Sequence, residues 1–414
     1  MSTQQRVICR CLLVLALAMT PAVAQTLPVG HPANQKDGGR VRVLLPPTLF
    51  AVAGVEANIY FDNVMLVLNP SNYAVDVRCE LGKQLQERWT FTPTEKDVGE
   101  HRLALSVYDE QNDLVGHAET VVRVTSALRA TRASTLLIGD SLTDTTYSHY
   151  PQRLLELDLG DEQSELTLIG SRGLKDTPPD GPLKHEGYRG WTAQAFATMN
   201  GPDSRTAVFN RPGTGSPFIY AEAGATPALD FHRYCREFNG GVAPDAILIC
   251  IGANDIFRSN DSSIDATIDT VLGHLDTLIT EFRRVGPQTA IGIAAPPPST
   301  RSQDGFRNYA GARKQTRVQY RRNHHRLVER MIAHFGHRGA ERVYFVPVFV
   351  NLDTQRGYAQ RPEAASAHSG ETIMRVGDGV HPTREGHFQI ADSVYGWLKA
   401  VAPLAETQDN RTGE

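Results

Sequence analysis

An α/β fold preceded by a small all-β unit is what this 414-residue sequence predicts. Three observations carry that expectation. Between residues 40 and 126, short stretches alternate apolar and polar side chains. After Ala127 the alternation gives way to short, wholly apolar runs, and these are separated by stretches with apolar residues every three or four positions. Alternation belongs to strands with one wet face, and continuous apolar runs to strands buried on both faces of a parallel sheet. The three-to-four spacing belongs to helices that cover such a sheet.

The chain opens with an export signal rather than a folded element. Arg6 and Arg10 precede the apolar run Leu12 to Met19, and Ala22-Val23-Ala24 supplies small residues for cleavage before Gln25. Residues 1–24 are thus the signal and 25–39 a linker. The run is too short to span a bilayer as a mature helix, and no cysteine follows it to take a lipid. A periplasmic or secreted bacterial protein without stable membrane insertion is expected. The formal net charge of -4 leaves no basic surplus to hold nucleic acid. Cys9 and Cys11 depart with the signal. Cys79, Cys235 and Cys250 remain, odd in number and far apart, so no disulfide scaffold is expected. A single bridge involving Cys235 stays open, while Cys250, inside an apolar run, reads as a buried thiol.

Arg40 to Leu44, Ala74 to Cys79 and His101 to Tyr108 alternate as strands, and Val121 to Val124 would close the sheet. Asp97-Val98-Gly99-Glu100 and Glu110-Gln111-Asn112-Asp113 fit turns between them, and Trp89 and Phe91, two apart, can share the core face. This rhythm favours an immunoglobulin-like β-sandwich over 40–126, followed by a linker at 127–132. Thr135 to Ile138, Leu166 to Ile169, Ala246 to Ile251, Thr289 to Ala294 and Arg342 to Val346 are the buried strands. Ile264, Ile268, Leu272, Leu275, Ile279 and Phe282 mark a helix, with Ser262 as N-cap and Asp265 placed for a capping box. A final helix over about 384–399 presents Phe388, Ala391, Val394 and Leu398 on one face and takes Thr383 as its cap. The α/β domain therefore covers 133–400, with a flexible tail at 401–414.

Chemistry-bearing residues fall just after these strands. Gly139-Asp140-Ser141-Leu142 follows an apolar run and suits a sharp turn that exposes a serine. A serine hydroxyl needs a base. His381 is the best candidate, because Asp378, three residues earlier in a glycine-containing turn, can hold one imidazole nitrogen and leave the other for Ser141. Gly252-Ala253-Asn254-Asp255 follows another strand, and the Asn254 amide is a suitable donor to a developing oxyanion, with the N–H groups of Ser141 and Gly190. No second His, Cys or carboxylate cluster of metal-ligand spacing accompanies them, so no metal is expected.

These blocks resemble those of the SGNH, or GDSL-type, hydrolases. Gly139-Asp140-Ser141-Leu142 looks like the first block, Glu186-Gly187-Tyr188-Arg189-Gly190-Trp191 the second, Gly252-Ala253-Asn254-Asp255 the third and Asp378-Gly379-Val380-His381-Pro382 the last. The resemblance covers about 133–400. It implies a flavodoxin-like three-layer α/β/α domain and cofactor-free ester hydrolysis. Ser141 is then the nucleophile, His381 the base and Asp378 its partner. Ser141, Gly190 and Asn254 form the oxyanion hole.

Two inserts bear on substrate. Residues 205–240 contain Arg211-Pro212-Gly213-Thr214-Gly215, Pro217-Phe218, Tyr220 and Phe231 to Tyr234. Residues 296–326 run from Pro296-Pro297-Pro298 into Arg313-Lys314, Arg317 and Arg321-Arg322. Aromatic rings there can stack on sugars and the basic run can favour an anionic glycan. Equally, the aromatics can be core and the arginines one solvated helix face. A β-sandwich before an exported esterase resembles bacterial enzymes that deacetylate polysaccharides. The expected partner is thus an acylated polysaccharide or oligosaccharide. A broad short-chain carboxylesterase and a non-catalytic carbohydrate-binding protein are the alternatives; the oligomeric state is not specified.

Overall fold

The computed structural model describes residues 41–159, 164–173, 181–201, 215–221, 226–307 and 315–404. The expected export signal at 1–24 and linker at 25–39, residues 405–414 of the expected tail, and the Arg211 to Thr214 and Arg313-Lys314 stretches lie outside them.

A parallel sheet forms the centre. Arg132–Gly139, Ala246–Cys250, Ala290–Ala294 and Val343–Val346 pair in that order, and the other side of Arg132–Gly139 holds Glu165–Ile169 and then Glu186–Gly187. All five expected apolar strands lie in this sheet. Leu136, Ile138, Ile247, Ile249, Ile291 and Ile293 belong to one hydrophobic cluster, and Leu137, Ala246, Leu248, Cys250, Ala290 and Ala294 to another. Alternate side chains leave a strand on opposite faces, so this split is the signature of a sheet covered twice. Helices Ala193–Thr198, Phe231–Phe238, Ile264–Val285 and Arg317–Phe335 cover the first face. Tyr150–Leu159 and Arg384–Val401 cover the second.

The long helix starts one residue later than its sequence suggests. Ser263 is its N-cap position and its hydroxyl caps nothing. Asn260 engages both serines instead: the Ser262 hydroxyl donates to its Oδ1 (2.7 Å), and its own N–H donates to Ser263 Oγ (3.1 Å). A local side-chain turn has displaced the capping box. At Arg384–Val401 the expected cap is present, with Thr383 Oγ1 accepting the Gly386 N–H at 3.3 Å. Phe388 is only half-buried, and the guanidinium groups of Arg153 and Arg384 lie over its ring.

Before residue 126 the chain forms two further sheets. One orders Thr48–Val52, Leu114–Thr125, Gly99–Tyr108 and Ala74–Arg78; the other orders Ala57–Tyr60, Arg88–Phe91 and Lys83–Gln84. Thr48–Val52 runs parallel to its neighbour, whereas the other pairs are antiparallel. Of the expected strand Arg40 to Leu44, the described residues Val41 to Leu44 form no strand. Val41, Val43 and Leu44 are buried; Val43 bridges Met65 and the Val41 N–H donates to the Val115 carbonyl at 2.9 Å, so alternation there records burial without a continuous ladder. These sheets share one apolar cluster with the Ile264–Val285 and Arg317–Phe335 helices. Polar contacts cross the same seam: Asn63 Nδ2 donates to the carbonyls of Phe349 (2.9 Å) and Leu352 (2.8 Å), and Arg42 pairs with Glu329 at 2.9 Å. The last helix is wedged between sheets. A Cβ on Gly396 would lie 2.7 Å from the Phe50 carbonyl oxygen, and one on Gly292 would lie 2.8 Å from the Trp397 indole.

The aromatic residues of the first insert that could have stacked on sugars are core. Phe218, Phe231 and Tyr234 are fully buried and pack with one another and with Phe282. Part of the basic run is a solvated ladder, because Arg322, Arg326 and Arg330 pair with Asp261, Asp265 and Asp269. Cys79, Cys235 and Cys250 are free thiols, and burial pushes the last two well above the ordinary thiol range, so neither is a nucleophile at neutral pH.

Candidate active site

Ser141 stands where the Arg132–Gly139 strand breaks off. Gly139 has no room for a side chain, since a Cβ would lie 2.1 Å from Thr143 Oγ1 and 2.6 Å from the Cys250 carbonyl oxygen. That closeness lets the next residues fold sharply back. The Asp140 carbonyl accepts the N–H groups of Thr143 and Asp144, and its Oδ1 accepts the Leu142 N–H at 2.9 Å. The turn is thus held on both sides of Ser141, which stays partly exposed.

The structure brings the serine to the late Asp/His turn. Ser141 Oγ lies 2.9 Å from His381 Nε2, and His381 Nδ1 lies 2.8 Å from Asp378 Oδ2. Asp378 Oδ1 accepts the N–H groups of Val380 (2.8 Å) and His381 (3.1 Å), so the carboxylate is held in one orientation. Burial alone would raise its pKa. The contacts with His381 and the two N–H groups outweigh burial and bring the pKa down to about 2. With Asp378 ionised, the proton of His381 belongs on Nδ1 and Nε2 is left to accept from Ser141.

Gly190 and Asn254 come to the same end of the sheet. Glu186–Gly187 presses against the Thr143-Asp144 turn, and a Cβ on Gly187 would lie 2.4 Å from the Asp144 nitrogen. Glu186 is buried and accepts from Ser171 N (2.6 Å) and Oγ (2.9 Å), Tyr188 OH (2.6 Å) and Tyr234 OH (2.7 Å). These bonds anchor the segment that turns at Gly190, whose φ of 76° suits glycine. Among the described residues the N–H groups of Ser141 and Gly190 donate to no one. Asn254 differs: its amide donates to Asp140 Oδ2 (2.9 Å) and to the Trp191 carbonyl (3.1 Å). It ties the serine turn to the Gly190 turn, and aiming it at an oxyanion requires exchanging one of those partners.

The GDSL-like lipase/acylhydrolase family matches residues 136–394, well over half of the chain. The chain belongs to this family. As a GDSL-like acylhydrolase it is a carboxylic ester hydrolase. Among solved structures it is similar to a carbohydrate acetylesterase family member from Sinorhizobium meliloti (14% identity, 65% of this chain and 98% of that one, TM-score 0.37). It is also similar to an inhibitor-bound aryl esterase of M. smegmatis (13% identity, 65% and 99%, TM-score 0.34). A third is an acetylxylan esterase from Geobacillus stearothermophilus (16% identity, 65% and 94%, TM-score 0.32). No curated protein matches significantly.

Two residues at this candidate site were given no role by the sequence. The Tyr147 ring stacks on His381 (5.4 Å between centroids) and is 43% exposed, so a substrate reaching His381 meets it. The Arg189 guanidinium lies 5.5 Å from the Tyr147 ring centre and 3.3 Å from Asp144. Arg189 adjoins Gly190 and was in view; Tyr147, a lone aromatic in a polar loop, had no periodic signal.

Asp255 behind Asn254 supplies a pH-dependent element. Its carboxyl accepts the Ala193 N–H (3.2 Å), and crowding by protein atoms pushes its pKa up to about 7, the Asp140 charge adding to the shift. The folded state therefore holds a proton that the unfolded chain releases near pH 3.9. Stability is lost as pH rises between about 4 and 7 and stays lost above, by on the order of 2–4 kcal/mol. Asp255→Asn keeps an oxygen for Ala193 but has no charge to bury. Urea unfolding is expected to show the variant more stable than the parent by about 2 kcal/mol at about pH 8, with the advantage vanishing near pH 4. A difference that does not vary with pH would mean that Asp255 does not titrate on unfolding.

Proposed function

We propose that the chain is an exported serine esterase that removes short acyl groups, foremost O-acetyl, from a carbohydrate through an acyl-enzyme. The observation that carries this reading is the unbroken line Ser141–His381–Asp378, with links of 2.9 and 2.8 Å. Ser141 attacks the ester carbonyl as His381 Nε2 takes its proton, and Asp378 steadies the imidazolium. The N–H groups of Ser141 and Gly190 receive the oxyanion, with Asn254 as third donor once it gives up the Trp191 carbonyl. The imidazolium of His381 then gives that proton to the departing sugar oxygen, so the sugar leaves as an alcohol, and His381 next takes a proton from the water that attacks the acyl-enzyme and releases the acid. The half-exposed Tyr147 offers a ring face to a sugar beside the scissile ester.

In this reading residues 1–24 direct export, and the described part of 40–126 acts as an accessory β-sandwich fixed on the 133–400 hydrolase domain. The contacts of Arg42 and Asn63 across the seam favour a rigid attachment. Among the described residues no helix is long and apolar enough to cross a membrane.

The test is acetate release by the mature protein from acetylated plant, algal and bacterial polysaccharides, with Ser141→Ala beside it. Acetate released only by the parent is the expected result. Ser141-dependent cleavage of p-nitrophenyl acetate with no acetate from any polymer would replace this substrate class with small esters. Glycan binding without turnover or fluorophosphonate labelling of Ser141 would overturn the catalytic reading.

A further inference from the structure

The arginines left over from the solvated ladder gather in one place. Arg321, on the opposite side of its helix from the paired arginines, donates to the carbonyls of Asp62 (2.6 Å) and Met65 (2.7 Å) and pairs with Asp62 Oδ1 at 2.8 Å. Arg317, one turn earlier, and Arg301, on the loop after Ala290–Ala294, line the same cavity of about 20 Å³ at the seam between the N-terminal sheets and the hydrolase domain. Among the described residues neither has a carboxylate within ion-pair distance. Three guanidinium groups thus face a single carboxylate, an arrangement whose mutual repulsion is relieved by an anion.

A second observation at the same cavity also points to a ligand. His325 is 5% exposed, lines the cavity wall, and among the described residues its Nε2 has no hydrogen-bond partner. An unmet buried polar atom costs on the order of 1–3 kcal/mol, and polar atoms of this kind are found where a ligand or water completes them. Desolvation, with the neighbouring Arg42, holds this imidazole well below the ordinary histidine range, so it meets a ligand as a neutral group able to donate one hydrogen bond.

The cavity does not stand alone. Asp62 and Arg301 also line an open groove of about 550 Å³ that runs over the N-terminal sheets past Tyr73, Leu85 and Gln86. That volume accommodates sugar residues, whereas the cavity takes only a small group. On its other side the cavity wall reaches the catalytic turn: the Thr300 N–H donates to the Gly379 carbonyl at 2.9 Å, and Gly379 is the neighbour of Asp378.

We propose that this seam is a subsite for an acidic glycan, with the sugar chain in the groove and one carboxylate among Arg301, Arg317 and Arg321. The proposal rests on the carbohydrate-esterase reading above and narrows its substrate to polymers containing uronic acids. The N-terminal sheets then select the polymer, while Ser141 cleaves the ester.

Calorimetric titration of the mature protein with tetragalacturonate, xylotetraose and sodium sulfate tests it, since none of these carries an ester to turn over. Tetragalacturonate is expected to bind, to weaken as salt rises from about 50 to about 200 mM, and to bind at least about tenfold more weakly to Arg317→Gln and to the more exposed Arg301→Gln. Xylotetraose is expected not to bind. Equal binding of the acidic and neutral sugars, or unchanged binding by both folded variants, would overturn the proposal. Binding of sulfate without tetragalacturonate would replace the glycan subsite with a site for free inorganic anions. Turnover of p-nitrophenyl acetate in the same preparation separates the two readings. Turnover without sugar binding removes this subsite alone, and sugar binding without turnover removes the esterase reading alone.

Discussion

Replacing His381 with alanine is expected to lower kcat on p-nitrophenyl acetate by about 10⁵–10⁶-fold, and Ser141→Ala by a similar factor. The reason is mutual dependence. Without an acceptor 2.9 Å from Oγ, Ser141 keeps its proton through the attack, and without Ser141 the imidazole has nothing to deprotonate for acyl transfer. The double variant is therefore expected to be no slower than either single one, because each change already removes the whole unit. What remains, about 10³–10⁴ over water, comes from the oxyanion donors and substrate positioning. Measured kcat for the parent, both single variants and the double variant decides this. Two losses that multiplied in the double variant would show that Ser141 and His381 act separately. His381 is partly exposed at the surface end of its turn, so its removal leaves the packed core intact and thermal midpoints should stay close to that of the parent.

The sheet and the residues of the candidate site were legible because each leaves a local mark. Strands such as Ala246–Cys250 are buried on both faces, so every position is apolar and the run stands out against polar flanks. Gly139 and Ser141 are adjacent to such a run, and Asp378 and His381 are close enough in sequence to suggest a shared turn. What stayed hidden depends on partners distant in sequence. Phe231 and Tyr234 have the composition of a sugar platform, and only the arrival of Phe282 from another helix makes them core. The basic run divides into a ladder, whose arginines meet Asp261, Asp265 and Asp269, and an inward side where Arg321 meets Asp62 of the N-terminal region. Arg40 to Leu44 alternates like a strand, yet among the described residues Val41 to Leu44 makes only scattered backbone contacts, such as the Val43–Met65 bridge and the Val41 N–H to the Val115 carbonyl, and no continuous ladder. Asn254 was placed correctly at the end of its strand, but its bonds to Asp140 and Trp191 could not be read from its own block.

Asp378→Asn is expected to lower kcat by about 10⁴-fold while leaving the fold in place. Asp378 Oδ1 accepts two backbone N–H groups, from Val380 and His381, and only an oxygen satisfies them. An asparagine therefore keeps its Oδ1 there and puts its NH₂ at the Oδ2 position, 2.8 Å from His381 Nδ1. A donor at that place requires Nδ1 to be the unprotonated nitrogen, which moves the imidazole proton to Nε2. The nitrogen facing Ser141 then offers a hydrogen where an acceptor is needed. Charge makes a second contribution, because the imidazolium formed during attack loses its carboxylate. With its pKa at about 2, Asp378 is ionised at every pH above about 4, so it adds no titration of its own to the parent's pH–rate profile there. The informative pair of measurements is kcat and the rate of fluorophosphonate labelling of Ser141. Both should fall together in Asp378→Asn, with the thermal midpoint within a few degrees of the parent. A variant that kept its activity within about tenfold would mean that Asp378 does not set the His381 tautomer. A large fall in thermal midpoint with labelling preserved would assign Asp378 to holding the Gly379 turn instead.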